Sequence, residues 1–307
     1  MKNNPIFYPS VSSVAKNRLA VLDHIEILVA LNHPHFLISA YDIFHLNKSE
    51  KETFKQIQQK LIDNKIDIIV DSGMYEKVWA QDDEWCYDHY KETIDLLSYN
   101  FVFNYDKYIN PANMPSQQII DSMNKSTIKN LSPIIHTKNI EDLPNLCLEV
   151  AKLENVNCIA IPERELGYGV LEGIRTVSKI KKLFNKQGCN KKIHILGTGN
   201  PISILMYSAF GINSFDGLDW CQTVVDYGSA TLHHSLQLDF FAHQSKLGAN
   251  KDIGYNTRLL AHNLEFYLLW MEEISREINN NSMVDMLKFY LPKSIEKEVV
   301  KLYESYN

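Results

Sequence analysis

A closed (β/α)8 barrel of the TIM type, an α/β fold, is the architecture this sequence predicts, and three observations predict it. Short apolar, β-branched or aromatic runs recur along the chain. A segment with helical periodicity separates each from the next. The repeat distance is about thirty residues, the size of one βα unit. Unbroken apolar runs suit strands buried on both faces, and intervening helices make the sheet parallel. A doubly wound open sheet is the second architecture compatible with the pattern.

In chain order the runs are FLISAYDI from Phe36, IDIIVDSG from Ile66, FVFNYD from Phe101, PIIH from Pro133, CIAIPE from Cys158, IHILGTG from Ile193 and INSFDG from Ile212. These give seven units. The eighth is assigned to Thr223–His233, which carries a turn signal at Asp226, Tyr227 and Gly228. Beyond it, Tyr255 to Glu277 reads as one long amphipathic helix, and Ser282 to Tyr306 as shorter helices broken at Pro292. No Pro/Gly-rich hinge divides the chain, so residues 1–307 are expected to form one barrel domain whose helical C-terminal part is 255–307.

The 307 residues are 45% hydrophobic and 22% charged, enough to bury a sizeable core. The start, MKNNPIFYPS, has no apolar run behind basic residues, and no stretch approaches the roughly 20 apolar residues of a membrane helix. A cytoplasmic protein without membrane association is expected. Five cysteines, Cys86, Cys147, Cys158, Cys189 and Cys221, show no Cys-x-x-Cys spacing and read as free thiols. A net charge of −6 does not advertise contact with nucleic acid. The one basic run, Lys179, Lys181, Lys182, Lys186, Lys191 and Lys192, reads as a solvated helix end.

In such a barrel the active site gathers where the strands end at their C-termini, so polar residues closing each run are the candidates. They are Asp42, Asp71 with Ser72, Asp106, His136, Glu163, Gly197 to Gly199, and Asp216. Any one of them alone is equally a helix cap or turn former. Several aspartates on different strands of one barrel are harder to explain that way. Two carboxylates facing one bound group can divide labour when their surroundings push their pKa values apart. One attacks an anomeric carbon, and the other serves as acid and then as base, which is retaining glycosyl transfer.

Two blocks carry a family resemblance. Ile193 to Gly217, IHILGTGNPISILMYSAFGINSFDG, resembles the tRNA-guanine transglycosylase stretch in which a Gly-x-Gly-x-Pro turn leads to Phe-Asp, and DSGMYE from Asp71 resembles its Asp-Ser-Gly block. The resemblance implies Asp216 as nucleophile and Asp71 as general acid/base. It further implies Ser72 as a hydrogen-bonding partner of the base, Tyr75 and Leu196 as its stacking faces, Asp106 as the reader of the guanine edge, and Gly197 in the binding turn. His136 stands where the family usually has glutamine, and Pro162 with Glu163 stand where a glycine pair normally binds the base. The segment YNTRLLAHNLEFYLLWMEEI from Tyr255 is similar to the family's C-terminal helix.

Family members hold structural zinc through Cys-x-Cys-x-x-Cys and the histidine of His-Asn-Leu. Here His262 occupies that histidine position but no cysteine lies between Cys221 and His262, so that zinc-binding subdomain is not expected. A substitute site from His233, His234, His243 and His262 is the alternative. The sequence after Asp216 is more similar to the DpdA-type DNA-guanine transglycosylases than to the tRNA enzymes. The resemblance thus implies exchange of guanine in DNA for a free 7-deazaguanine such as preQ0, without metal, ATP or redox cofactor. The rival readings are exchange in tRNA, a noncatalytic nucleic-acid-binding subunit, and an unrelated barrel enzyme using Gly197–Gly199 as a phosphate turn. An accessory DNA-processing protein is a candidate partner, and a homodimer is left open.

Overall fold

The structure, a computed structural model, describes residues 4–15, 19–106 and 116–306. Eight parallel strands alternate with helices. They are β1 (Ile6–Val11), α1 (Val21–Ala30), β2 (His35–Ser39), α2 (Ala40–His45), α3 (Lys48–Asp63), β3 (Asp67–Asp71), α4 (Met74–Ala80), α5 (Tyr87–Asp95), β4 (Phe101–Phe103), α6 (Ser116–Lys125), β5 (Leu131–Ser132), α7 (Leu143–Ala151), β6 (Cys158–Pro162), α8 (Val170–Lys186), β7 (Lys192–Leu196), α9 (Pro201–Ala209) and β8 (Ser214–Gly217). The strand order is β5-β4-β3-β2-β1-β8-β7-β6. A parallel bridge between Ile134 and Ala160 joins the two ends of that row, with Ile135 N donating to Ala160 O at 2.8 Å, and closes the barrel.

The strands therefore begin earlier in the chain than the sequence pattern indicated. Ile6–Val11 is the eighth barrel strand, seated between β2 and β8. Its run, IFYPSV, carries Pro9, and a proline inside a short apolar run argues against a central strand. The stretch assigned to that role instead folds back on itself. After the short helix α10 (Asp219–Gln222), β9 (Thr223–Asp226) and β10 (Thr231–His234) pair antiparallel with each other, outside the barrel. The turn at Asp226 to Gly228 is what an antiparallel pair needs; a parallel strand would need a long crossover.

Strand alternation sorts the side chains into two layers. Leu37, Ile69, Phe103, Ile134 and Ala160 fill the barrel interior with Tyr8. Their neighbours Phe36, Ile38, Ile68, Val70, Ile193, Ile195 and Phe215 face the surrounding helices. The same parity carries residues at the strand ends inward. Ser10 follows Tyr8, Ser39 follows Leu37, and Asp71 follows Ile69, while His194 and Asp216 alternate with outward-facing Ile195 and Phe215.

Two further one-turn helices, α11 (Leu238–Phe241) and α12 (Lys246–Ala249), lead to α13 (Tyr255–Asn280), α14 (Met283–Tyr290) and α15 (Lys293–Tyr306). Pro292 separates the last two, as the pattern indicated. Helix α13 buttresses the loops that carry the strand ends. Tyr267 stacks on Phe7 with ring centroids 4.2 Å apart, and its hydroxyl donates to Gly199 O at 2.5 Å. Trp270 Nε1 donates to Pro201 O at 3.0 Å. Asn263 Nδ2 donates to Trp220 O and Thr223 O, both at 2.7 Å.

His262, buried in α13, has both ring nitrogens engaged, Nε2 with Val225 O at 2.8 Å and Nδ1 with Ser245 Oγ at 2.9 Å. His233 stacks on Phe241, and His234 Nδ1 accepts from Leu236 N at 3.2 Å. Among the described residues no three His, Cys, Asp or Glu side chains are grouped as metal ligands, so the four-histidine alternative does not assemble. His262 acts as a fastener between α13 and the hairpin. His262→Ala removes a buried donor from a carbonyl and leaves a void, and is expected to cost about 2–4 kcal/mol in urea unfolding. A cost below about 0.5 kcal/mol would contradict the fastening role.

Among the described residues no helix is long and apolar enough to cross a membrane. The basic run lies away from the strand C-termini. Lys186 ends α8 and Lys192 starts β7, while Lys191 Nζ donates to Val156 O at 2.5 Å. Lys179 pairs with Glu141 at 2.9 Å.

Candidate active site

The inward parity of the strands brings Asp216, on β8, beneath a set of donors from three elements. Ser10 Oγ donates to Asp216 Oδ2 at 2.7 Å from β1. His194 Nε2 bonds Asp216 Oδ1 at 3.0 Å from β7, and Gly197 N donates to the same oxygen at 3.1 Å. A carboxylate only accepts, so His194 carries its proton on Nε2 in this contact. Its Nδ1 lies 2.8 Å from Ser214 Oγ, which fixes the ring. Gly197 reaches Asp216 because it adopts φ +75°, a left-handed conformation that a side chain would strain. The Asp216 carboxylate is thus held at both oxygens.

Asp71 ends β3 in the same barrel mouth. Gly73 N donates to Asp71 Oδ2 at 2.9 Å from the turn that starts α4. Burial pushes the Asp71 carboxyl up to about 6, against that hydrogen bond and with the negative charges of Asp216 and Asp106 adding to the rise. The two aspartates named as the catalytic pair therefore share one electrostatic neighbourhood at one end of the barrel.

Close enough to Asp71 to feel its charge is a residue the sequence reading did not single out. Glu76 is buried, with Ser12 Oγ donating to Oε1 at 2.5 Å and Ser39 Oγ to Oε2 at 3.0 Å. Burial, then the charges of Asp42 and Asp71, push its carboxyl up to about 8, despite the Ser12 hydrogen bond. Asp42 itself accepts from Ser13 N at 2.8 Å, and so serves the β1 loop instead of the open mouth.

Across the mouth, Asp106, His136 and Glu165 form a row. His136 is 2% exposed; its Nε2 lies 2.7 Å from Asp106 Oδ2, and its Nδ1 bonds Glu165 Oε1. Burial works against a charged imidazole here, but the two flanking carboxylates outweigh it and hold His136 at about 9. Glu163 faces away from this row, toward Thr198 and Tyr207, whose hydrogen bonds oppose the upward shift that burial imposes on its carboxyl.

The remaining candidates are placed less uniformly. Leu196 packs on the barrel-interior layer at the end of β7. Ser72 is buried, and its carbonyl accepts from Trp85 Nε1 at 3.1 Å. Tyr75 is 47% exposed on α4, edge-on to Trp79 with ring centroids 6.2 Å apart. Asp71, Asp106, His136, Gly197 and Asp216 are thus brought together, while Tyr75 and Glu163 engage neighbours outside that set.

Strand alternation, applied to HIL within β7 and to the missed β1, is the signal that finds His194 and Ser10. Nothing local in the sequence identifies Glu165, because its partner lies on another strand end. No protein-family model matches the chain, and no curated protein is significantly similar to it in sequence.

Proposed function

We propose that the protein is a base-exchange glycosyltransferase, a pentosyltransferase that replaces guanine in DNA with a 7-deazaguanine of the preQ0 type. One observation carries the reading: two carboxylates share a barrel mouth under unlike conditions. Asp216 is gripped by Ser10, His194 and Gly197, while the Asp71 carboxyl is pushed to about 6, near the pH at which a group can give and retake a proton. The family resemblance of the Asp-Ser-Gly and Phe-Asp blocks supports the choice of substrate.

In this reading the target nucleotide is turned out of its stack, at a cost of a few kcal/mol. Asp216 attacks C1′ as Asp71 protonates the departing guanine, giving a sugar ester on Asp216. The incoming base then loses its N9 proton to Asp71 and its nitrogen takes the sugar back, which frees the Asp216 carboxylate. Protons and bonds balance over the two steps, and this chemistry calls on no metal or redox cofactor.

The test incubates the protein with labelled guanine or preQ0 and either duplex DNA, single-stranded DNA or tRNA. Label in DNA supports the proposal. Label in tRNA alone selects the same chemistry on the other polymer, and binding without incorporation selects a noncatalytic subunit.

Ser10→Ala is expected to lower the exchange rate about ten- to hundred-fold, the equivalent of about 1.5–3 kcal/mol for a lost hydrogen bond to a charged group. Single-turnover kinetics with an unchanged denaturation midpoint checks it. A rate within about twofold of wild type would show that the Ser10 contact does not orient the nucleophile.

A further inference from the structure

The trio on the strand ends next to Asp71 supports an assignment that reaches past the paired aspartates. Carboxylate oxygens accept hydrogen bonds and do not donate them, so a nitrogen bonded to an ionised carboxylate must carry a hydrogen. His136 has one ring nitrogen on Asp106 Oδ2 at 2.7 Å and the other on Glu165 Oε1. With both carboxylates ionised, both nitrogens carry a hydrogen in this arrangement. Glu165 is itself tied down, its Oε2 accepting from Thr137 N at 2.8 Å. The three side chains come from the segments that follow β4, β5 and β6, so the row also ties those three segments together.

We infer that Glu165 is a positioning residue: it holds His136 as an imidazolium with both N–H groups spent, and through His136 it orients the Asp106 carboxylate at the mouth. Histidine is ordinarily the side chain best suited to move protons near neutrality. Here it is withdrawn from that work. Proton transfer is left to Asp71, and His136 serves as a fixed charge between two carboxylates. The row then carries a net charge of −1, where an unprotonated imidazole would leave −2 and two repelling carboxylates on either side of it. The charged and titratable groups facing His136 are Asp106, from the loop after β4, and Glu165, from the turn after β6. The consequence for base exchange rests on the proposed function; the protonation assignment does not.

The test is a histidine 15N NMR titration of the full chain. The His136 signals are identified by their loss in His136→Gln. In wild type His136 is expected to keep both N–H protons above pH 8. In Glu165→Gln its midpoint should fall by at least one pH unit, a tenfold loss of proton affinity. Guanine exchange by that variant should then lose rate as pH rises through the new midpoint, a dependence absent from wild type over the same range.

A wild-type midpoint at or below pH 7 overturns the assignment whether or not Glu165→Gln folds. An unchanged midpoint in Glu165→Gln also overturns it. If wild type exchanges no base while both titrations come out as stated, base exchange fails and the Glu165–His136 assignment is supported.

Discussion

Asp216→Ala is expected to abolish base exchange, lowering the rate by about 10⁴-fold or more, the scale of losing a covalent nucleophile. The contacts made by Asp216 give the physical reason for so large an expected loss. Ser10 and His194 each direct a hydrogen toward Asp216, and Gly197 contributes its backbone N–H, so removing the carboxylate leaves three donors facing a void, and the neighbouring carboxylates Asp71 and Asp106 are carried by other strands. Asp216→Asn is expected to be nearly as inactive. One amide oxygen could satisfy one side of the cradle, but the –NH2 would be turned on a donor at the other. Two measurements check this: incorporation of labelled guanine, and the polymer-linked band on a denaturing gel that a sugar ester at Asp216 would give. Equal incorporation by wild type and Asp216→Ala would end the proposed mechanism, whereas inactivity of both on every polymer would end the proposed function.

Much of the barrel was legible because each strand packs apolar residues on both faces, so β2, β3, β4, β6, β7 and β8 stand out as unbroken runs. The first strand was hidden for a physical reason: Pro9 interrupts the apolar pattern, and the strand takes its central place from pairing with β2 and with β8, the latter far along the chain. The hairpin of β9 and β10 was mistaken for a barrel strand because an apolar run does not report its pairing direction. Missing β1 also hid Ser10.

For the candidate site the divide is similar. Asp71, Asp106, His136 and Asp216 could be named because they end or follow runs that were recognised. Glu76 and Glu165 could not, since their importance comes from contacts to other strand ends, Ser12 and Ser39 in one case and His136 in the other. Such contacts depend on strand pairing and, for Glu165 with His136, on closure of the sheet between β5 and β6, which no local pattern encodes.

Glu76→Gln should give the second large effect, and it concerns stability instead of rate. The Glu76 carboxyl titrates at about 8 in the fold against an ordinary value of 4.5, so the folded chain holds a proton there that the unfolded chain has released. Between those two values every rise in pH favours unfolding; stability from this group is full below about 4.5 and lost as pH passes through about 8. Burial beside Asp42 and Asp71 sets the direction, and the accumulated loss is on the order of 3–5 kcal/mol. A glutamine keeps the shape, stays neutral at every pH, and can still accept from one serine while donating to the other.

The variant should therefore match wild type near pH 4.5 and melt on the order of 5–10 °C higher at pH 8.5. Glu76→Ala, which empties the serine cradle, should be less stable than the glutamine variant at both pH values. Thermal unfolding of the three proteins across this range decides the matter. A wild-type melting temperature that tracks that of Glu76→Gln at both ends would show that Glu76 is ionised in the fold near neutrality. The two serines would then be solvating a carboxylate instead of holding a carboxylic acid.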